Sequence, residues 1–172
     1  MADPEFKPLR IAVLTVSDTR TEADDTSGAR LVDALRQAGH ALADKAIVRD
    51  DTYAIRAAVS DWIAAADVDA VLSTGGTGIT GRDGTPEAIE PLLDKVIDGF
   101  GELFRALSYA QIGTSSLQSR ALAGVANATF VFVLPGSGGA CQLAWDKLIS
   151  QQLDNRTRPC NLVMLMPRLN EV

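Results

Sequence analysis

The feature that most constrains this chain is a regular alternation of two patterns. Apolar runs of strand type give way, one after another, to segments with helical periodicity. The first run, Ile11-Ala-Val-Leu-Thr-Val16, is too continuous to keep one face in solvent. Strands of that kind belong to a largely parallel sheet covered by helices on both faces. Residues 41–48 and 68–74 read as further strands. Residues 27–38 read as a helix ended by Gly39, a C′ glycine. Asp51 or Thr52 can cap a second helix, in which Ile55, Val59, Trp62 and Ile63 recur at helical spacing. Thr85-Pro86-Glu87 opens another, with a capping hydroxyl, proline at the first helical position and a carboxylate in the first turn. Residues 100–110 and 140–153 are also helical, with Phe104 and Leu107 inward. Residues 121–126 and 129–134 form two strands joined near Asn127, an antiparallel edge of the sheet. The expectation is an α/β fold of three layers, a mostly parallel central sheet with helices on both faces.

Apolar residues make up 47% of the 172, enough for a proper core in one domain over residues 10–172, preceded by a polar tail, 1–9. Residues 1–6 are either a native flexible tail or an added remnant. The net charge of −6 argues against nucleic acid or an anionic membrane surface as partner. No apolar run approaches the roughly 20 residues of a membrane span, so a cytoplasmic location is expected. Cys141 and Cys160 stand outside any CxxC spacing and read as plain thiols. The single histidine, His40, reads as a surface or turn residue, which nearly excludes a His-based triad. Trp62 and Trp145 read as packing residues.

In open α/β sheets ligands bind beyond the carboxyl ends of the strands. Polar or glycine-rich loops fall there after several strands: Ser17-Asp18, Asp50-Asp51, the stretch 74–85, and Pro135-Gly136-Ser137-Gly-Gly139. Thr74-Gly75-Gly76-Thr77-Gly78 leads into Gly81-Arg-Asp-Gly-Thr-Pro-Glu-Ala88. Glycines let the backbone turn tightly and present N–H groups to an anion. No Gly-Lys-Ser/Thr follows, so this is not a Walker A loop, and it is not GxGxxG. Against a plain strand–helix turn stand Arg82 and Asp83, charges beside the glycines. Asp50 and Asp83 are the candidate ligands for Mg²⁺, a hard ion commonly held by one or two carboxylates plus substrate phosphates. Asp51 is assigned to the helix cap. Arg120, after Ser119, could fork onto a phosphate or be an ordinary surface arginine.

These residues carry a recognisable pattern. Thr15-Val-Ser-Asp18, Asp25-Thr-Ser-Gly28, Thr74-Gly-Gly-Thr-Gly78, Asp83-Gly-Thr-Pro-Glu-Ala88, Gly99-Phe-Gly-Glu102, Ser119-Arg-Ala-Leu-Ala-Gly124 and Leu134-Pro-Gly-Ser137 run in order through the chain. The chain thereby resembles the molybdopterin adenylyltransferase (MogA/MoaB-type) family. Gly78-Ile-Thr-Gly-Arg-Asp83, residues 112–120 and Thr157-Arg-Pro-Cys-Asn161 make it most similar to the MoaB branch. The resemblance implies the fold of molybdenum cofactor biosynthesis proteins and a homo-oligomer, trimer or hexamer. It implies adenylyl transfer from Mg-ATP to the terminal phosphate of molybdopterin, alongside other enzymes of that pathway. Asp50 and Asp83 would act on Mg²⁺ and the nucleotide, and Gly75, Gly76, Thr77 and Gly78, with Thr74, would cradle phosphate. Ser17, Asp18, Ser119 and Arg120 would line the pterin or phosphate side, with Pro135, Gly136 and Ser137 as further contacts. The Pro-Gly loop departs from the pattern by continuing Gly138-Gly139.

Two rivals stand beside that reading. One is a non-catalytic molybdopterin-binding or scaffold protein of the pathway. The other is a nucleotide pyrophosphatase, since the domain also resembles the N-terminal part of competence-damage proteins.

Overall fold

The computed structural model describes residues 4–171. Its strands are β1 (Arg10–Val16), β2 (Ala41–Val48), β3 (Ala70–Thr74), β4 (Lys95–Val96), β5 (Leu122–Ala126) and β6 (Thr129–Leu134). They lie in the order β2-β1-β3-β6-β5-β4. The first four in that order are mutually parallel, β5 runs against β6, and β4 runs against β5. The antiparallel pair is where the apolar runs placed it. The outermost position, however, belongs to β4, two exposed residues too short to leave a periodic signal.

β1, β3 and β6 are flanked on both sides, and side chains alternate between the two faces of their pleat. Ile11, Val13, Leu72, Phe130 and Phe132 point to one face; there they meet Leu31 and Leu35 of α1 (Thr26–Gln37) and Phe104 of α4 (Asp98–Ile112). Ala12, Leu14, Val71, Val131 and Val133 point to the other. That face is covered by Ile55, Val59 and Trp62 of α2 (Thr52–Ala64) and by Ala88 and Ile89 of α3 (Thr85–Ile89). The result is the expected helix–sheet–helix sandwich. The last helix, α5 (Gly138–Ala144), continues through a π-helical turn, Trp145–Ile149, into Ser150–Gln152. Among the described residues no helix is long and apolar enough to cross a membrane.

The local signals act as the residues dictate. Asp25 caps α1 by accepting Gly28 N–H (2.9 Å), and Asp51 caps α2 by accepting Tyr53 and Ala54 N–H (3.0 and 2.9 Å). Gly39, at φ +91°, ends α1. Asn127 and Ala128, both at positive φ, turn β5 into β6 as a tight hairpin. Both cysteines are free thiols, Cys141 buried and Cys160 exposed. Trp62 and Trp145 are buried packing residues, the former donating to Asp44 Oδ2 (2.9 Å).

His40 differs from expectation: it is buried rather than on the surface. Its ring lies between Phe6 and Trp145, and its Nδ1 accepts Leu9 N–H (3.1 Å). The sequence signal misleads because the position follows a helix-ending glycine, whereas the chain at 6–9 folds back over it. Of the expected tail, residues 1–3 lie outside the described residues.

Burial holds the His40 imidazole below its ordinary 6.5, with the Asp154 charge opposing. A depressed folded-state value means the unfolded chain takes up the proton first. Stability is therefore full above pH 6.5 and declines as pH falls below it. Urea unfolding between pH 7.5 and 5.5 should show this decline, and His40→Asn, which keeps an acceptor in place of Nδ1, should flatten it. An Asn variant with the wild-type pH slope would show that His40 is not its source.

Candidate active site

The parallel strands β1, β3 and β6 end side by side, and the segments leaving them meet backbone to backbone at Gly75. Its N–H donates to Leu134 O (3.1 Å), and a Cβ on it would collide with Val16 O. Gly136 packs on its other side, close enough that a Cβ there would lie 3.2 Å from Gly75 Cα. Gly75 and Gly76 take φ of +99° and +64°, left-handed values that favour glycine. Thr74 Oγ1 donates to Pro135 O (3.0 Å), and Ser27 Oγ, at the start of α1, donates to Gly136 O (2.7 Å). A cavity of about 220 Å³ opens here, lined by Thr15, Ser17, Arg20, Ser27, Thr74, Gly75, Gly76 and Gly136.

One wall of that cavity is held by a buried carboxylate. Asp25 Oδ2 accepts from Thr15 Oγ1 (2.9 Å) and pairs with Lys45 Nζ (2.9 Å), which also reaches Glu22 (2.6 Å). With Gly28 N–H on Oδ1, the charge is paired and hydrogen-bonded, the condition under which a buried carboxylate is tolerated. The lysine is raised: burial works against its charge, but the hydrogen bonds and charges of Glu22 and Asp25 win.

Beyond Gly76 lies an acidic group from three loops. Asp50 Oδ1 accepts Gly84 N–H (3.1 Å), while its own N–H donates to Asp18 Oδ1 (3.2 Å). Asp50 Oδ2 receives no hydrogen bond from the described residues and occupies the space that a Cβ on Gly76 would need. Burial pushes the Asp50 carboxyl up, and the Asp83 and Asp18 charges add to this against the Gly84 N–H. Asp83 goes the other way, lowered mainly by the Thr80 hydroxyl (2.5 Å) and also by the Thr80 N–H (3.0 Å). Asp18 is lowered by Arg82, which grips it with Nε (3.0 Å) and Nη2 (2.7 Å).

This donor set suits a hard cation, with carboxylate oxygens from separate loops and neither imidazole nor thiolate. Among the described residues no three His, Cys, Asp or Glu side chains converge into a metal-holding cluster. Asp50 and Asp83 thus offer a partial shell that phosphate oxygens could complete.

Arg120 stands behind the glycine loop rather than in its mouth. Nε donates to Thr77 O (3.2 Å), Nη2 to Asp83 O (2.9 Å), and Nη1 pairs with Glu87. It therefore clips the two halves of the 74–85 stretch together. Ser119 faces a separate cavity of about 430 Å³, beside Glu87, Asp98 and Arg105. Ser137 spends its hydroxyl capping α5 through Ala140 N–H (3.2 Å).

Of the residues singled out from sequence, Ser17, Thr74, Gly75, Gly76 and Gly136 line one cavity, and Asp18, Asp50 and Asp83 gather beyond Gly76. Thr77 and Gly78 complete the loop, Gly78 lying against the Asp83 carboxylate. Ser119 lines the separate cavity instead, and Arg120 shares its wall. Sequence reasoning missed Arg20, Ser27 and the Asp25–Lys45 pair. Ser27 and Asp25 did stand in the quoted Asp25-Thr-Ser-Gly28 stretch, which was the available signal. Lys45 had none, since its partner lies 20 residues away on another element.

Gly76→Ala should be destabilising for two reasons. It forces a side chain into a left-handed conformation, at about 1–2 kcal/mol, and drives a methyl into Asp50 and Thr85. Urea denaturation should register at least that loss, and a variant of wild-type stability would mean the loop relaxes freely.

Comparison with known proteins places this architecture. Residues 12–155 match one protein family, described as a probable molybdopterin binding domain. The chain is 60% identical over 157 residues to molybdenum cofactor biosynthesis protein B of Escherichia coli (strain K12), covering 91% of this chain and 92% of the relative. A crystal structure of a molybdenum cofactor biosynthesis protein B superposes with a TM-score of 0.84 at 49% identity, over 89% of this chain and 94% of that one. The tungsten cofactor synthesizing protein MoaB from Pyrococcus furiosus follows at 0.77 and 37%, over 84% and 92%. The chain belongs to the molybdopterin-binding-domain family of molybdenum cofactor biosynthesis proteins.

Proposed function

We propose that the protein transfers AMP from Mg-ATP to the terminal phosphate of molybdopterin, releasing pyrophosphate. The observation that carries this reading is the position of Asp50 and Asp83 directly beside the left-handed glycine loop. Such a loop suits phosphate, and such carboxylates suit the cation that accompanies it. In the transfer, an oxygen of the acceptor phosphate attacks the α-phosphorus in line as pyrophosphate departs. No protein nucleophile is needed, so positioning and charge neutralisation suffice.

Gly76 and Thr77, whose N–H groups bond to nothing among the described residues, would hold phosphate oxygens. Ser17, whose hydroxyl only accepts within the described residues, and Arg20 offer the cavity at the end of β1 a donor hydroxyl and a positive charge for the second anion. Asp50 and Asp83 would hold Mg²⁺, which when bound neutralises charge on the nucleotide phosphates. The Asp18–Arg82 pair fixes the loop that carries Asp83 against the end of β1. The reading extends to a homo-oligomer, trimer or hexamer, for which exposed Leu103, Tyr109, Ile112 and Leu117 supply apolar surface.

The test is a Mg²⁺-dependent assay of purified protein with ATP and molybdopterin, following adenylylated molybdopterin and pyrophosphate. Wild type should form both, and Asp83→Asn should lose transfer by 100-fold or more, on the order expected for one lost electrostatic contact, with an unchanged circular dichroism spectrum. Tight pterin binding without product would favour a binding or scaffold role. Full activity of the Asn variant would remove Asp83 from the metal site.

A further inference from the structure

Thr85 opens α3 yet caps nothing: Gly84 takes the cap position, without a side-chain bond. The expectation of a capping hydroxyl is therefore corrected here. The residue is fully buried, and its Oγ1 finds no hydrogen-bond partner among the described residues. Its N–H donates to Gly76 O (2.9 Å), which fixes it under the glycine loop. A Cβ on Gly76 would strike Thr85 Oγ1 and also come within 2.6 Å of Asp50 Oδ2. The orphan hydroxyl and the carboxylate oxygen that the fold leaves unpaired thus border the same spot.

A buried hydroxyl without a partner is destabilising and rare in native proteins. Valine has the same shape and would fill the place without that penalty. Packing alone does not account for an oxygen here.

We propose that Thr85 is a positioning residue for Asp50. Its hydroxyl donates to Asp50 Oδ2 when a divalent cation and nucleotide phosphate draw that carboxylate into place. A carboxylate oxygen has two lone pairs, one for the hydroxyl and one for the cation. The inference rests on the adenylyl-transfer reading insofar as Asp50 faces a metal–nucleotide complex.

The test uses the full chain as wild type, Thr85→Val and Thr85→Ser, with Mg-ATP titrated calorimetrically and melting followed separately. Thr85→Val should melt about 2–4 °C higher, the shift expected for one relieved orphan group. It should nonetheless bind Mg-ATP about tenfold more weakly, the loss of one hydrogen bond to a charged group, and Thr85→Ser should restore binding. Opposite signs for stability and affinity are what a merely structural hydroxyl would not give. If wild type binds Mg-ATP and Thr85→Val binds it equally, this inference falls and the adenylyl-transfer reading survives. A valine variant that melts lower also overturns it, since the hydroxyl would then be satisfied in the resting fold. If wild type itself does not bind Mg-ATP, the adenylyl-transfer reading falls and takes this inference with it.

Discussion

Everything at the candidate site depends on the approach of three backbones at Gly75. β1, β3 and β6 are packed strand against strand, so the segments leaving them have no room to separate before they turn. Gly75 occupies that crossing with Val16 on one side and Gly136 on the other, and no side chain fits between. The chain must then turn through Gly76 in a left-handed conformation, which aims the Thr77–Asp83 stretch over the strand ends. The cavity beneath is a product of this crowding. Its few hydroxyls arrive from α1 and from the ends of β1 and β3.

Charge at this end is arranged unevenly, and the unevenness has a chemical meaning. Three aspartates gather here in a chain that is already net negative. Asp18 is neutralised by Arg82, Asp83 is stabilised by donors from Thr80, and Asp50 alone is pushed up by burial and by its neighbours. The group is left with less cationic partner than its charge calls for, an imbalance that the proposed Mg²⁺ would relieve. By contrast, the Asp25–Lys45 pair is complete within the fold, and its task is to fix α1 against β1 and β2.

The sheet, its mostly parallel order and the helices on both faces were legible in the sequence, because strands buried on two faces cannot alternate. Asp51 as a cap, Gly39 as a helix end and the glycine loop were legible through local chemistry. What escaped was whatever depends on distant pairing. β4 is two residues recruited by β5, with no pattern of its own. Arg120, read as a possible phosphate fork or a surface arginine, is committed to the carbonyls of Thr77 and Asp83 and to Glu87. His40 is buried by a segment that sequence had assigned to a tail, and Thr85 carries the motif of a cap without its bond. Roles among the gathered residues are set by which donors remain unspent, and one-dimensional spacing does not record that.

The Arg120 clip joins the site to the antiparallel edge of the sheet. Arg120 lies two residues before β5, and β5 is bordered only by the two-residue β4 on its outer side. Opening of such an edge is the low-energy end of native-state fluctuation. Were that edge to open as far as Arg120, the carbonyls of Thr77 and Asp83 would lose their common anchor. The order of the glycine loop is then not an independent property. Through Arg120 it is tied to the sheet's edge, so a partner seated upon that edge would steady the loop without touching it.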